Sequence, residues 1–233
     1  QLEQLLNVEL NCAPDNPFLD LERGSFVSNG NFSITNLAIG FDALRIALAH
    51  QALLAERRVA LLVRQLRQGL PLASQVRAVS DATGYVTPVI LAQTASALVA
   101  RAKHLASPIS LTGTTVGDGV EDHSSMAYPS VRATEQVLDV VEQLLAVEAL
   151  LAATVISVHE GRPIVLGAPV ERLRAAIIEV TGRTQVTAEV IDWVIEALRR
   201  ERRGDDLAEM RAPRVRPSVA NHDQEVARHD QLH

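Results

Sequence analysis

Three carboxylates, a histidine and two glycines fall within Gly117-Asp118-Gly119-Val120-Glu121-Asp122-His123-Ser124-Ser125-Met126, between two long apolar segments. A rigid scaffold presents reactive groups from such a loop, and Glu121 is the foremost candidate for general acid or base work. If buried without a cation, its carboxyl would be pushed up towards the range that suits proton transfer at neutral pH. A simpler use competes with this one. Acids and serines ahead of an apolar helix commonly cap it, and Ser124 or Ser125 could do that alone. A second polar loop lies upstream, Ser28-Asn29-Gly30-Asn31-Phe32-Ser33, where Asn29-Gly30 suits either the turn of a short hairpin or a plain turn before a helix. Phosphate-binding glycine loops, dinucleotide fingerprints, GxSxG and HExxH are all absent. His229 and His233 have a metal-ligand spacing but stand in a polar terminus without further ligands.

Positioning these loops falls to helices. Of the 233 residues, 47% are hydrophobic and only 3% aromatic, with Ala, Leu and Val dominant, a balance that favours tightly packed helices over a β-sandwich. The expected fold class is all-α, a bundle of long helices. A net charge of −6 argues against general attraction to nucleic acid or anionic lipid. Arg199, Arg200, Arg202, Arg203, Arg211, Arg214 and Arg216 form a basic tract, but interleaved acids and the lack of stacking aromatics point to a solvated face. The single cysteine, Cys12, excludes an intrachain disulfide and a Cys-rich zinc site, and suits a reducing, cytoplasmic setting. The first residues lack the pattern of a signal peptide. Opening on Gln1, in what reads as mid-helix, leads us to expect further chain upstream. The run Leu144 to Val158, interrupted by Glu148, reads as a buried helix and not as a membrane span.

Leu2, Leu5, Leu6 and Leu10 mark the end of an amphipathic helix, stopped by Pro14 and Asp15-Asn16-Pro17. From Thr35 to Gln68, Leu37, Phe41, Leu44, Leu48, Val59, Leu62 and Leu66 recur at helical spacing, predicting a helix ~50 Å long, the kind found in bundles and oligomers. Glu56-Arg57-Arg58 within it suggests a solvated face or an ion pair with a neighbouring helix. A second helix, Pro88 to Leu105, is rich in small residues, with Lys103 and His104 in its last turn, where positive charge suits the dipole. After Ser107-Pro108 and the loop of Glu121 comes a third long helix, ending near His159. It is apolar on nearly every face from Leu144 to Val158, as at the centre of a bundle. Two shorter helices follow, Pro169 to Thr181 and Val186 to Arg203, with Trp193 expected to pack the second onto the body. The resulting organisation is 1–160 for the long-helix bundle and its loops, 161–203 for a C-terminal helical pair, and 204–233 for a tail without fixed structure.

Taken in order, Val8-Glu9-Leu10-Asn11-Cys12-Ala13-Pro14-Asp15-Asn16-Pro17, Ser28-Asn29-Gly30-Asn31-Phe32, Glu56-Arg57-Arg58, Ser107-Pro108-Ile109-Ser110 and Glu121-Asp122-His123-Ser124-Ser125-Met126 resemble the C-terminal half of the aromatic amino acid ammonia-lyases and related aminomutases. That resemblance implies a helical subunit of a homotetramer whose active sites are shared between chains. It also implies a methylideneimidazolone electrophile formed from an internal Ala-Ser-Gly, and elimination of ammonia from an aromatic L-amino acid to give an α,β-unsaturated acid, or amine migration in the aminomutases. Carried onto this chain, Phe32 would lie beside cofactor and substrate ring, Asn31 would hold that loop, Glu121 would line the pocket, and Asp122 and His123 would support it from behind. Val120 stands where the family has a polar residue. Asn29 replaces a commoner glycine, which an Asn tolerates at positive φ. Asn11 and the Asp15-Asn16-Pro17 turn would be structural. No Ala-Ser-Gly occurs in the 233 residues, so the implied partner is an N-terminal fragment or large subunit carrying the cofactor. The alternatives are an aminomutase, or a non-catalytic helical module for oligomerisation or regulation.

Overall fold

The structure, a computed structural model, describes residues 1–12, 15–30, 32–68, 88–115, 123–158, 164–182 and 186–213. Asn31, Val120, Glu121, Asp122, His229 and His233 lie outside the described residues, as do Arg214 and Arg216. Helices dominate: α1 (Leu2–Leu10), α2 (Thr35–Gln68), α3 (Pro88–Leu105), α4 (Ala127–Val158), α5 (Ala168–Thr181) and α6 (Ala188–Arg203), with an antiparallel hairpin of β1 (Phe18–Asp20) and β2 (Ser25–Val27). The all-α expectation holds. By residue contacts the chain divides into two units, 1–51 with 100–140 and 52–99 with 141–233.

In the first unit the structure agrees, of the two sequence readings of Asn29-Gly30, with the connection leading into α2, and it places a separate hairpin before that pair. The hairpin's turn is Leu21 to Gly24, not Asn29-Gly30: the Asp20 carboxylate accepts the amides of Glu22 (3.0 Å) and Arg23 (3.1 Å), and Gly24 takes φ +57°. That side-chain mimicry of a turn, plus one glycine in the left-handed region, closes the loop without an Asn-Gly pair. Neither Asn29 nor Gly30 has positive φ. Asn29 instead donates its amide N–H to Asn16 Oδ1 (3.1 Å) and its Nδ2 to the Asp15 carbonyl (2.6 Å), tying the two ends of the hairpin together. The Asp15-Asn16-Pro17 turn, with a cis Asn16–Pro17 bond, is structural as expected. Behind it, α1 rests on α2 at Gly40, where an added Cβ would come within 2.8 Å of Leu2 Cδ1.

A second difference concerns which face of α2 is buried. The stripe Phe41, Leu44 and Leu48 is only half-buried, whereas Ala38, Asp42, Arg45 and Ala49, at spacings of four, three and four, form the covered seam. Two charged side chains therefore occupy core positions. Their partners, described below, are what make that possible.

The second unit is packed more conventionally. Val59, Val63 and Leu66 of α2, Leu91, Ala95 and Val99 of α3, and Leu144, Val147, Leu150 and Leu151 of α4 are buried, joined by Ile177 of α5 and Val190, Val194 and Ala197 of α6. On length and composition alone α2 and α4 could each cross a membrane. In α4, however, burial extends round most of the helix from Leu144 to Thr154, with Leu145 the exception, as expected of a core helix. The hydroxyls of Thr154 and Ser157 return to carbonyls four residues back, both at 2.9 Å, so no polar demand is left inside. Arg58 binds both carboxylate oxygens of Glu148 (2.5 and 2.8 Å), the inter-helix ion pair that the Glu56-Arg57-Arg58 run suggested.

Order continues past Gly204, where a tail without fixed structure was expected. Gly204, at φ +79°, ends α6 with its N–H on the last carbonyls, and a 3₁₀ turn at Leu207–Glu209 follows, capped by Asp206. Trp193 lines a groove here with Ala175, Ala176 and Val180 of α5 and Leu207 and Met210. Within the basic tract Arg199 pairs with Glu142, Arg200 with Glu196 and Glu209, and Arg203 with Glu196 and Asp205, as on a solvated face.

Replacing Leu150, fully buried in α4, by alanine should destabilise the chain by about 3 kcal/mol through lost transfer energy and cavity formation. Urea unfolding monitored by circular dichroism measures it.

Candidate functional site

Phe32 and His123 belong to the two loops singled out by sequence, and both are exposed. They precede helices in the first unit: Phe32 lies three residues before α2, and His123 four residues before α4. The Thr35 hydroxyl, in the first turn of α2, lies 2.9 Å from Ser33 Oγ and 3.5 Å from His123 Nδ1. A contact between residues 88 apart in sequence thereby brings the Phe32 segment and the base of the Glu121 loop to one place.

That base is pinched from its other side as well. An added Cβ on Gly113 would sit 2.7 Å from the Ser124 carbonyl oxygen and 3.5 Å from Met126 Cγ, so only glycine permits the approach. Met126, which leads into α4, has φ +55°, uncommon for a side chain of its size and sparse ground that surrounding contacts must enforce. Ser125 Oγ accepts the Ala127 amide (3.4 Å). The capping use of this serine, foreseen from sequence, and the presentation of a loop by the same residues are therefore compatible.

Sequence reasoning missed the side chains that fix this region from below. Asp42 and Arg45, one turn apart on α2, are buried and paired to each other. Arg45 Nε donates to the Leu105 carbonyl (2.9 Å), Nη2 to the Ser107 carbonyl (3.2 Å), and Nη1 to the Ser130 carbonyl (2.8 Å) and hydroxyl (2.7 Å). Asp42 accepts the amides of Ile109 (3.2 Å) and Ser110 (3.0 Å) and the Ser130 hydroxyl (2.8 Å). Burial pushes the Asp42 carboxyl up. Hydrogen bonds from the Ser110 side chain and amide, the Ser130 hydroxyl and the Ile109 amide outweigh it and hold the group at about 2. The only hint in the sequence was a helical spacing of charges among apolar residues, which reads equally well as a surface ion pair.

Two grooves in the second unit, of about 580 and 370 Å³, are lined mainly by apolar side chains, around Trp193 and around Ile90, Leu91 and Val147 respectively. Arg172, at the rim of the larger, is committed to Glu201. Convergent polar groups are what chemistry needs, and among the described residues Ser33, Thr35 and His123 bring such groups together in the first unit. Among the described residues no cluster of three or more His, Cys, Asp or Glu is placed to hold a metal ion. His104 is exposed in the last turn of α3, in keeping with a surface or capping role.

An all-α protein of long helices, with two polar loops meeting where two of those helices begin, is the class that fold and site define. Residues 1–179 match the family model described as aromatic amino acid lyase. The chain belongs to that family. Histidine ammonia-lyase of Alkaliphilus oremlandii is 34% identical over 161 residues, covering 69% of this chain and 31% of that protein. Among solved structures, histidine ammonia-lyase from Trypanosoma cruzi superposes with a TM-score of 0.71 at 27% identity, over 89% of this chain and 42% of that one. Tyrosine aminomutase from Streptomyces globisporus gives 0.70 at 29% identity, over 88% and 40%. The chain thus spans about a third of the length of the curated relative it matches.

Two expectations follow. Because the folded Asp42 carboxyl titrates at about 2, against 3.8 ordinarily, its contribution is complete above pH ~4 and is lost as pH falls towards 2, an effect of about 2 kcal/mol. Urea titrations from pH 5 to 2 should show this dependence in the wild type and its loss in Asp42→Asn. Gly113→Ala should lower the melting temperature and selectively speed amide hydrogen exchange in the segment before α4, since the Ser124 backbone must move aside.

Proposed function

We propose that this chain supplies one wall of the active site of an aromatic amino acid ammonia-lyase. Such an enzyme breaks the Cα–N bond and removes a β-proton, releasing ammonia and an α,β-unsaturated acid. The methylideneimidazolone would be carried by polypeptide outside these 233 residues, on an N-terminal part or large subunit. No Ala-Ser-Gly occurs here from which to form it, so the chain's own residues can only flank that group, which when present supplies the electrophile that makes the β-proton removable. Phe32 would offer its exposed ring to the aromatic side chain of the substrate, excluding water from that side. Glu121 would accept or return a proton near the amine or side chain, with Val120 leaving its flank apolar, Asn31 holding the facing loop and Asp122 and His123 behind. Assembly into a tetramer, in a cytoplasmic setting, completes the proposal.

What carries this reading is the Thr35–His123 contact, which draws the two loops together within a chain of the aromatic amino acid lyase family. Histidine is the first substrate to test, given the 34% identity to a histidine ammonia-lyase. The likeness to a tyrosine aminomutase favours a second reading, in which the amine returns to the β-carbon.

The test is co-expression with a polypeptide containing Ala-Ser-Gly, followed by ultraviolet absorbance of urocanate or cinnamate and by chromatography for β-amino acids. Activity should appear only in the joint assembly. Glu121→Ala and Phe32→Ala should each lower kcat by about 100-fold or more, in the range of lost acid–base or positioning groups. Full activity in both variants would instead mark the chain as a non-catalytic oligomerisation or regulatory module.

A further inference from the structure

Both faces of the β1–β2 hairpin carry apolar side chains left exposed. The register pairs Phe18 with Val27 and Leu19 with Phe26. Successive positions of a strand point to opposite sides, so the two pairs lie on opposite faces. All four residues are exposed, Phe26 at 72%, and Leu21 in the turn is 85% exposed. A two-stranded ribbon is marginal in water unless it packs on something. This one is tied at its base, by Asn29 to Asn16 Oδ1 and to the Asp15 carbonyl, and is bare above it. Scattered exposed apolar residues need no explanation, but neighbouring ones on both sides of one ribbon mark a contact surface. The surrounding sequence is acidic: residues 15–30 hold Asp15, Asp20 and Glu22 against Arg23, which pairs with Asp20.

We propose that this hairpin is the docking surface for the cofactor-bearing polypeptide of the lyase, whose matching surface is apolar and edged with basic side chains. The inference rests on the reading of the chain as part of an aromatic amino acid ammonia-lyase. Three observations favour that occupant over a second copy of this chain. The chain covers 42% of the histidine ammonia-lyase from Trypanosoma cruzi, so most of a related subunit has no counterpart here and needs a surface of this kind to rest on. The hairpin lies inside the stretch that matches the family, residues 1–179. Two copies meeting through it would set like-charged acids against each other, which opposes association. The position also suits the site: Val27 is five residues from Phe32, at most ~18 Å of extended chain. A polypeptide seated on the hairpin therefore borders the ring proposed to meet the substrate.

The test co-expresses the full chain, tagged, with the portion of Alkaliphilus oremlandii histidine ammonia-lyase that has no counterpart in it. Phe18→Thr/Leu19→Thr/Phe26→Thr/Val27→Thr strips both faces while keeping strand-forming residues. Expected is at least about 30-fold less of that polypeptide retained on the chain, as when a buried anchor is lost from an interface. The melting temperature of the chain alone should fall by less than about 4 °C, since no core residue is changed. Val165→Thr, at a residue 94% exposed in the other unit, should leave retention unchanged. Independently of any variant, binding should slow amide hydrogen exchange in residues 18–27 of the wild type. Undiminished retention by the folded fourfold variant, or exchange in 18–27 that the partner leaves unaltered, overturns the inference while the lyase reading stands. Self-association of the chain alone that the variant abolishes, with retention of the partner unchanged, assigns the hairpin to a second copy and overturns it too. A wild-type pair that joins through the hairpin yet releases no ammonia supports the docking and counts against the lyase reading.

Discussion

Two charges buried on α2 impose the constraint on which the first unit depends. Removing a carboxylate and a guanidinium from water costs several kcal/mol each, and their mutual attraction recovers this only when the remaining lone pairs and protons are also satisfied. Here the partners are the Leu105 carbonyl at the end of α3 and the Ser107 carbonyl just beyond it, the amides of Ile109 and Ser110, and the hydroxyl and carbonyl of Ser130 in α4. The last carbonyls of α3 would otherwise be orphans, as at any helix end. One pair of side chains thus joins three helices at a point and lets a segment with no ladder of its own follow a defined path.

A consequence is that the segments bounding the polar loops are held from neighbouring helices. Loops carry reactive groups because they can vary, but groups that must meet have to be held from outside. In this chain the holding is done at the bases: Asn16 and Asn29 close the hairpin, Thr35 and His123 link the starts of α2 and α4, and Gly113 admits the Ser124 carbonyl at a distance that any side chain would prevent. Met126 at positive φ fits the same scheme, since its conformation is one that only such surrounding contacts keep.

How much of this could be read from the sequence varies with the range of the interaction responsible. The long helices were legible because periodicity over thirty residues overrides local ambiguity, and Thr35–Gln68 and Pro88–Leu105 fall where spacing put them. Three features escaped. The Asn29-Gly30 pair is the stronger local turn signal, yet Asp20 and Gly24 make the hairpin turn, while Asn29 spends its side chain on Asp15 across the loop. In α2 the stripe is buried at Leu37, Val59 and Leu66, but between them apolar Phe41 and Leu44 outbid Asp42 and Arg45 on hydrophobicity, and partners sixty to ninety residues away decide the matter. Order beyond Gly204 depends on an Asp206 cap and ion pairs that a charged composition conceals. The capping use of Ser125 was legible because that residue stands between a loop of unusual composition and an apolar helix, a signal local enough to see.

The division of labour between the two units argues in the same direction. In the second unit the hydroxyls of Thr154 and Ser157 bond to carbonyls one turn back, and arginines pair with acids on adjoining helices or within α6. Its grooves are apolar, and the arginine at the rim of the larger is already paired. The first unit differs, leaving Phe32 and His123 exposed while its two buried charges bind each other, the Ser130 hydroxyl and the backbone of the segment after α3. The two units thus spend their polar groups differently, on ion pairs between and along helices in the second and on a buried pair that holds neighbouring backbone in the first.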